Sequence, residues 1–290
     1  MSYYKRVDKF GNPSRDGEYI LFGEYPQTLK DSSVEIVNPN EQEKNGYYLG
    51  NDGMTYFKTP SRIAVCRGEP RYNPRRKLRR LQFPFGSRYY FKVEPIKWRI
   101  LEEKDGKAML LSEHILDSRA YKYKGTNDDP ISSNYKNSDI RTWLNEKFLE
   151  EAFTEEQKAR ILETEVDNSA RSTGREQNKF ACDNTFDKVF LPSYMEMLNK
   201  SYGFNENPLE PDANRVKKAT DFAIASGVRE DNGANYFGDG EDWCLRSPDS
   251  EDSIRSVGDD GNMGFSSGVI VRYDFAIVPA LWISLDNSII

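Results

Sequence analysis

The sequence predicts an α+β fold of short antiparallel strands, a few helices and long irregular loops. Three observations carry this expectation. Aromatic residues make up 13% of the chain, more than disordered segments carry. Runs rich in aromatic and β-branched residues are short and punctuated by Gly, Asn and Asp, the signature of strands and turns. Between them lie stretches with the apolar spacing and N-cap residues of helices. The 290 residues divide into a polar arm, 1–19, and a single domain, 20–290.

The elements follow in order. Tyr19 to Gln27 reads as a strand stopped by Pro26. Tyr47–Leu49 and Met54–Phe57 flank Asn51-Asp52-Gly53 and read as a hairpin. Residues 61–88 read as a long basic loop, with Arg67, Arg71, Arg75, Arg76, Lys77, Arg79 and Arg80 close together. Tyr89–Val93 and Ile96–Leu101 are two strand segments separated by Pro95, and Lys104-Asp105-Gly106 turns into the apolar strand Ala108–Ser112. Ser138 or Asn137 caps a helix carrying Ile140, Trp143, Leu144 and Leu149. Thr154-Glu155-Glu156-Gln157 is a capping box for a helix carrying Ala159, Ile161 and Leu162. Residues 165–185 read as a loop, Val189–Leu191 as a buried strand, and Ser193-Tyr194-Met195-Glu196 as a second capping box. A helix over Val216–Ile224 ends at Gly227. The last third holds a strand at Trp243–Pro248, a loop rich in Asp, Ser and Gly at 249–268, closing strands at Val269–Val271 and Ala276–Leu285, and a second recognition loop at 272–276.

Composition bounds the function. A net charge of −6 argues against non-specific nucleic-acid binding by the chain as a whole. No apolar run reaches the roughly 20 residues that span a bilayer. The N-terminus lacks the apolar core of a signal peptide. Three cysteines, Cys66, Cys182 and Cys244, without C-x-x-C spacing, point away from a disulfide framework or a zinc site. A cytoplasmic location is the default expectation, with secretion or surface display left open.

The chemistry-bearing candidates are few. His114 is the single histidine and reads as a half-buried residue at a strand end; Cys244, between Trp243 and Leu245, reads as a small buried hydrophobe. No cofactor is expected, although Asp239, Glu241 and Asp242 form an oxygen-rich, glycine-containing stretch of the kind that binds calcium. The favoured function is non-enzymatic recognition of a protein, peptide or carbohydrate. Its candidate contacts are Arg255, Asp259, Asp260, Met263, Phe265, Arg272, Tyr273 and Phe275, aromatic anchors within a polar rim. Two alternatives stay open. One is an enzyme using Cys244 or a carboxylate pair from Glu241, Asp242 and Asp259. The other is polyanion or nucleic-acid binding through Arg75, Arg76, Lys77, Arg79 and Arg80.

The order of signatures resembles a bacterial family of uncharacterised domains. Phe22-Gly23-Glu24-Tyr25-Pro26-Gln27, Val93 to Leu101, Leu110 to Asp117, Ile140 to Asn145 and Asp187 to Leu191 carry the resemblance. So do Ala219 to Ala223, Trp243-Cys244-Leu245-Arg246-Ser247-Pro248 and Pro279-Ala280-Leu281-Trp282-Ile283. The resemblance implies a C-type-lectin-like fold, in the branch shared with formylglycine-generating enzymes, some of whose members are variable ligand binders diversified by retroelements. Cys244 and Val278 stand where relatives often carry Trp and Arg. Paired cysteines of the formylglycine enzymes have no counterpart here, so the resemblance carries over no oxidase chemistry.

Overall fold

The computed structural model describes residues 14–37, 39, 46–62, 86–123, 132–228, 241–264 and 269–285. It is mixed α+β, with mostly antiparallel strands and few helices. Its spine is a hairpin of β5 (Arg88–Lys104) and β6 (Lys107–Ser112). Asp105 and Gly106 both adopt positive φ, 52° and 69°, the backbone that a two-residue hairpin turn requires. β2 (Tyr19–Leu29) pairs with β5 on one side, and β18 (Ala280–Ser284) pairs with β6 on the other. β12 (Val189–Phe190) extends the sheet beyond β18.

Pro26 and Pro95 do not stop their strands. β2 runs on to Leu29, and β5 is one 17-residue strand through Pro95. The prolines are tolerated beside register shifts in the β2–β5 pairing, at Leu21/Glu24 and at Pro26/Thr28; a missing N–H costs little where the ladder is already interrupted.

Gly23 lies in the first irregularity with φ +71°, and a Cβ there would sit 2.7 Å from Phe153 Cδ1 and 2.8 Å from the Ala152 carbonyl. Trp98 is fully buried and its indole N–H donates to the Phe22 carbonyl at 2.7 Å. Phe153 packs against both Phe22 and Trp98, with ring centroids 5.3 and 6.3 Å apart. The Phe22-Gly23 motif therefore brings a strand and a helix end into contact through one ring.

The helices are shorter than their apolar spacing suggests. Ser138 and Thr154 cap as expected, and the Thr154/Gln157 capping box is reciprocal. The helix after Thr154 nevertheless ends at Arg160. Ile161–Leu162 is instead a strand, β9, paired with β18. The last helix is only Asp221–Ser226, capped by Thr220 and Gly227, while Lys218–Ala219 forms β13 beside β7 (His114–Ile115). In both places, pairing available to the backbone outweighs a few residues of helical propensity.

A second sheet holds four strands of the C-terminal third and β8, in the order β16 (Val269–Ile270), β15 (Ser253–Val257), β14 (Trp243–Pro248), β17 (Asp274–Ile277) and β8 (Asp117–Ala120). Two expectations are corrected by it. The 249–268 segment is not simply a loop, because β15 lies inside it. Residues 272–276 are partly strand. Residues 165–185, expected as loop, begin and end in a ribbon of β10 (Thr164–Val166) and β11 (Thr185–Asp187). The 63–85 stretch, which contains the whole arginine cluster, lies outside the described residues.

Candidate functional site

The expected contact residues separate into three environments. Met263, Asp259 and Asp260 belong to the interior side of a tight turn. Met263 is 1% exposed and its sulfur accepts from Arg215 Nη1 at 2.9 Å. Met263 is thus corrected from a surface anchor to a core residue. Asp259 is buried, and Asp260 Oδ1 accepts the Asn262 amide at 2.8 Å while its backbone carbonyl accepts from Asp212 N at 3.1 Å. Gly261, φ +81°, lets this turn lie against the 208–212 segment, because a Cβ would come within 2.9 Å of the Asp212 carbonyl carbon. The short side chains read as loop composition instead serve close backbone packing. Phe265 lies outside the described residues.

Arg272, Tyr273 and Phe275 form the second environment. Arg272 and Tyr273 are exposed in the turn between β16 and β17, with Tyr273 51% exposed, and Phe275 is half-buried on β17. Phe275 lies directly opposite Arg119 of β8, so the two side chains share a face of the sheet. The Arg119 guanidinium sits 4.7 Å over the Trp143 ring. It also donates to Asp117 Oδ2, from Nη2 at 3.0 Å and from Nε at 3.3 Å. That oxygen accepts as well from the buried Tyr25 hydroxyl at 2.9 Å. Burial, then the Asp117 charge, holds the Tyr25 phenol well above its ordinary range. Tyr25 therefore stays a donor and helps fix the carboxylate that orients Arg119. Tyr123, 62% exposed, follows Lys122, whose amide donates to the Val271 carbonyl at 2.8 Å. Two exposed tyrosines thus flank an arginine-bearing edge. Sequence reasoning missed Arg119 and Trp143; the Asp117-x-Arg119 alternation was the available signal, since residues two apart on a strand share a face.

Arg255 belongs to the third environment. Its guanidinium stacks 4.3 Å over the Tyr194 ring and lies 3.6 Å from Asp249. Beside Tyr194 opens a polar groove of ≈ 430 Å³, whose lining includes Asp167, Met195, Glu196, Lys200, Glu206 and Arg246. Arg246 is 2% exposed, and its Nη1 and Nη2 donate to Glu196 Oε2 at 2.7 Å and Oε1 at 3.0 Å. The Leu191 and Asp167 carbonyls accept from the same two nitrogens at 2.7 and 3.1 Å. Glu196 also completes the expected Ser193 capping box. The Ser193 amide donates to its carboxylate at 2.7 Å, and its own amide donates to Ser193 Oγ at 3.1 Å.

The candidate reactive groups are buried or partly buried. Cys244 is 1% exposed, and burial pushes its thiol up to about 12. A thiol is nucleophilic as thiolate, so its setting opposes the thiol mechanism. Burial, with repulsion from Lys217 and Lys97 against attraction from Glu113, lowers half-buried His114 below its usual range. Glu241 Oε2 accepts from the Ala219 amide at 2.8 Å, which ties the start of β14 to β13. Among the described residues no group of three or more His, Cys, Asp or Glu is placed to hold a metal ion, and Asp239 is outside them. Asp242 lies beside Glu241, partly buried.

Lys217 is 1% exposed, with its Nζ 3.2 Å from Glu113 Oε2. Burial outweighs attraction from Glu113 and, with repulsion from Arg99 and Lys97, brings its ammonium from 10.5 to about 8. Below pH 8 both folded and unfolded chains carry the proton. Above it the folded chain sheds a proton that the unfolded chain keeps to about 10.5, so stability rises with pH through that window. The gain should reach roughly 2–4 kcal/mol. From about pH 9 the buried Cys244 thiol, and above pH 10 the buried tyrosines, pull the other way, since their folded forms hold protons longer. Urea unfolding between pH 7.5 and 9 should therefore show an upward slope that Lys217→Met flattens. An unchanged slope in that variant would assign the effect elsewhere.

The fold and these surfaces define an α+β protein of mostly antiparallel strands with a buried Cys244 thiol, a half-buried imidazole and an aromatic, arginine-bearing edge. The chain belongs to the family described as a domain of unknown function (DUF6273), which matches residues 105–285. No curated protein and no solved structure matches the chain. Among the described residues no helix is long and apolar enough to cross a membrane.

Proposed function

We propose that the protein is a non-enzymatic recognition module whose contact face is centred on Tyr273, with Arg272, Phe275, Tyr123 and the Trp143-stacked Arg119 around it. The observation that carries this reading is Tyr273, a tyrosine 51% exposed on a short turn anchored by strands on both sides. Tyrosine and arginine on a rigid support supply large contact area at low ordering cost, the usual composition of binding hot spots. The Asp117–Tyr25 pair supports Arg119 from beneath, so the edge is organised before a ligand arrives. A C-type-lectin-like arrangement, in which a stable framework displays C-terminal loops, is compatible with the resemblance in sequence.

Screening immobilised peptides and glycans with the wild-type chain, then retesting the ligands found with Tyr273→Ala, checks the reading. Binding should weaken about tenfold or more, while the melting temperature barely moves, as for most exposed substitutions. Ligands bound equally by the variant would overturn the assignment of this face.

A further inference from the structure

The face around Tyr273 carries a surplus of hydrogen-bond donors. Arg119 spends Nε and Nη2 on Asp117. Its side chain is 21% exposed, and its Nη1 has no acceptor among the described residues. Arg272 and Arg62 are exposed and form no ion pair among the described residues. Arg62 is held near β17 by its amide, which donates to the Ala225 carbonyl at 2.8 Å. Partial burial raises the Asp274 carboxyl above its usual range against the attraction of Arg62 and Arg119, so both guanidiniums lie within electrostatic reach of β17. The nearby carboxylates are already committed. Asp117 is buried and accepts from Tyr25, the Ser118 amide and Arg119. Asp139 pairs with Lys122 at 3.3 Å, and Glu151 with Lys147 at 3.7 Å.

Resting on the reading of this face as the contact surface, we infer that its ligand is a peptide segment presenting an isolated carboxylate beside an apolar side chain. The two oxygens of a carboxylate match the parallel donors of a guanidinium fork, and Arg119, Arg272 and Arg62 supply the unspent ones. The apolar neighbour lies against Tyr273 and Phe275, the aromatic anchors of the face. A polyanion charged at every unit fits less well. Asp274 and Asp252 are exposed among the same cations, with the Asp252 carbonyl accepting the Val271 amide at 2.9 Å, and like charges brought together are repelled. One carboxylate set between them avoids that repulsion.

The Trp143 indole N–H is buried without an acceptor, and its ring lies 4.7 Å beneath the Arg119 guanidinium, so its proton resonance senses that group. Titrating the full chain with acetyl-Leu-Glu-Leu-amide should move this resonance and those of the Tyr273 ring along one saturable curve. Acetyl-Leu-Gln-Leu-amide should bind about tenfold more weakly. Replacing two exposed cations, in Arg62→Gln/Arg272→Gln, should weaken the Glu probe roughly threefold or more and leave the Gln probe unchanged. Acetyl-Leu-Gln-Leu with a free C-terminus distinguishes the source. Affinity equal to the Glu probe assigns the carboxylate to a chain end, and affinity equal to the capped Gln probe assigns it to a side chain. Equal binding of the capped Glu and Gln probes, with the Tyr273 ring responding, would overturn the carboxylate but leave the contact face in place. Shifts confined to residues away from Tyr273 would overturn the contact face itself. Tighter binding of a heparin fragment than of the Glu probe at the same salt concentration, or no shift with any peptide, would overturn the peptide ligand.

Discussion

Trp98→Ala should lower the free energy of unfolding by about 4–6 kcal/mol. The large-to-small change in a close-packed core contributes roughly 3–5 kcal/mol. Loss of the indole donor adds to this, because the Phe22 carbonyl that it satisfies at 2.7 Å is buried beside Gly23 and an orphaned buried acceptor costs about 1–3 kcal/mol. The two contributions are separable. Trp98→Phe keeps most of the ring packing against Phe153 but removes the donor, so it should cost about half as much as alanine. Equilibrium urea unfolding of both variants, with the m-value compared to the wild type, measures the difference. Equal losses in the two variants would mean that the hydrogen bond, and not packing, dominates at this position. The expectation matters for function because β2, held against β5, carries the Tyr25 hydroxyl that donates to Asp117, and so bears on Arg119.

Glu196→Ala should cost about 3 kcal/mol, and more than Arg246→Met. Arg246 is 2% exposed and the Glu196 side chain 25%. Removing the carboxylate leaves a guanidinium enclosed among carbonyls, whereas removing the guanidinium leaves a carboxylate that water can reach. Breaking a buried pair from one side typically costs about 3–5 kcal/mol, and the partial exposure here places the loss at the lower end. The double variant should be less damaged than the sum of the singles, because the stranded charge is gone. Additive losses in a double-mutant cycle would show that the two groups act independently. Because Glu196 also accepts the Ser193 amide, part of its loss reflects the cap, and Ser193→Ala sets that share.

Local rules were legible in the chain itself. The caps at Ser138 and Thr154, the helix stop at Gly227, the Asp105-Gly106 turn and the Ser193/Glu196 box each depend on a few neighbouring residues, and each forms as its chemistry requires. The burial of Cys244 was equally readable, since it lies between Trp243 and Leu245. The candidate site was legible only in part. Tyr273 and Arg272 stand at the surface, whereas Met263 and Asp259 do not. The same Asp, Asn and Gly residues suit an open loop or a turn docked tightly on another segment, and composition does not separate the two.

What the sequence determined by itself, then, was the α+β class, the turns and caps, and the apolar runs that become core. Tertiary structure decided where strands replaced helix, as at Ile161–Leu162, where β18 offered pairing. It decided that Pro26 and Pro95 lie within strands, because the bulges that accommodate them arise between segments some 70 residues apart. It also decided that Arg119 meets Phe275 across β8 and β17, more than 150 residues apart in sequence. The physical reason is common to all three. Hydrogen bonds within a turn or cap are encoded by adjacent side chains, but strand pairing and the burial of charge depend on partners that only the folded chain brings together.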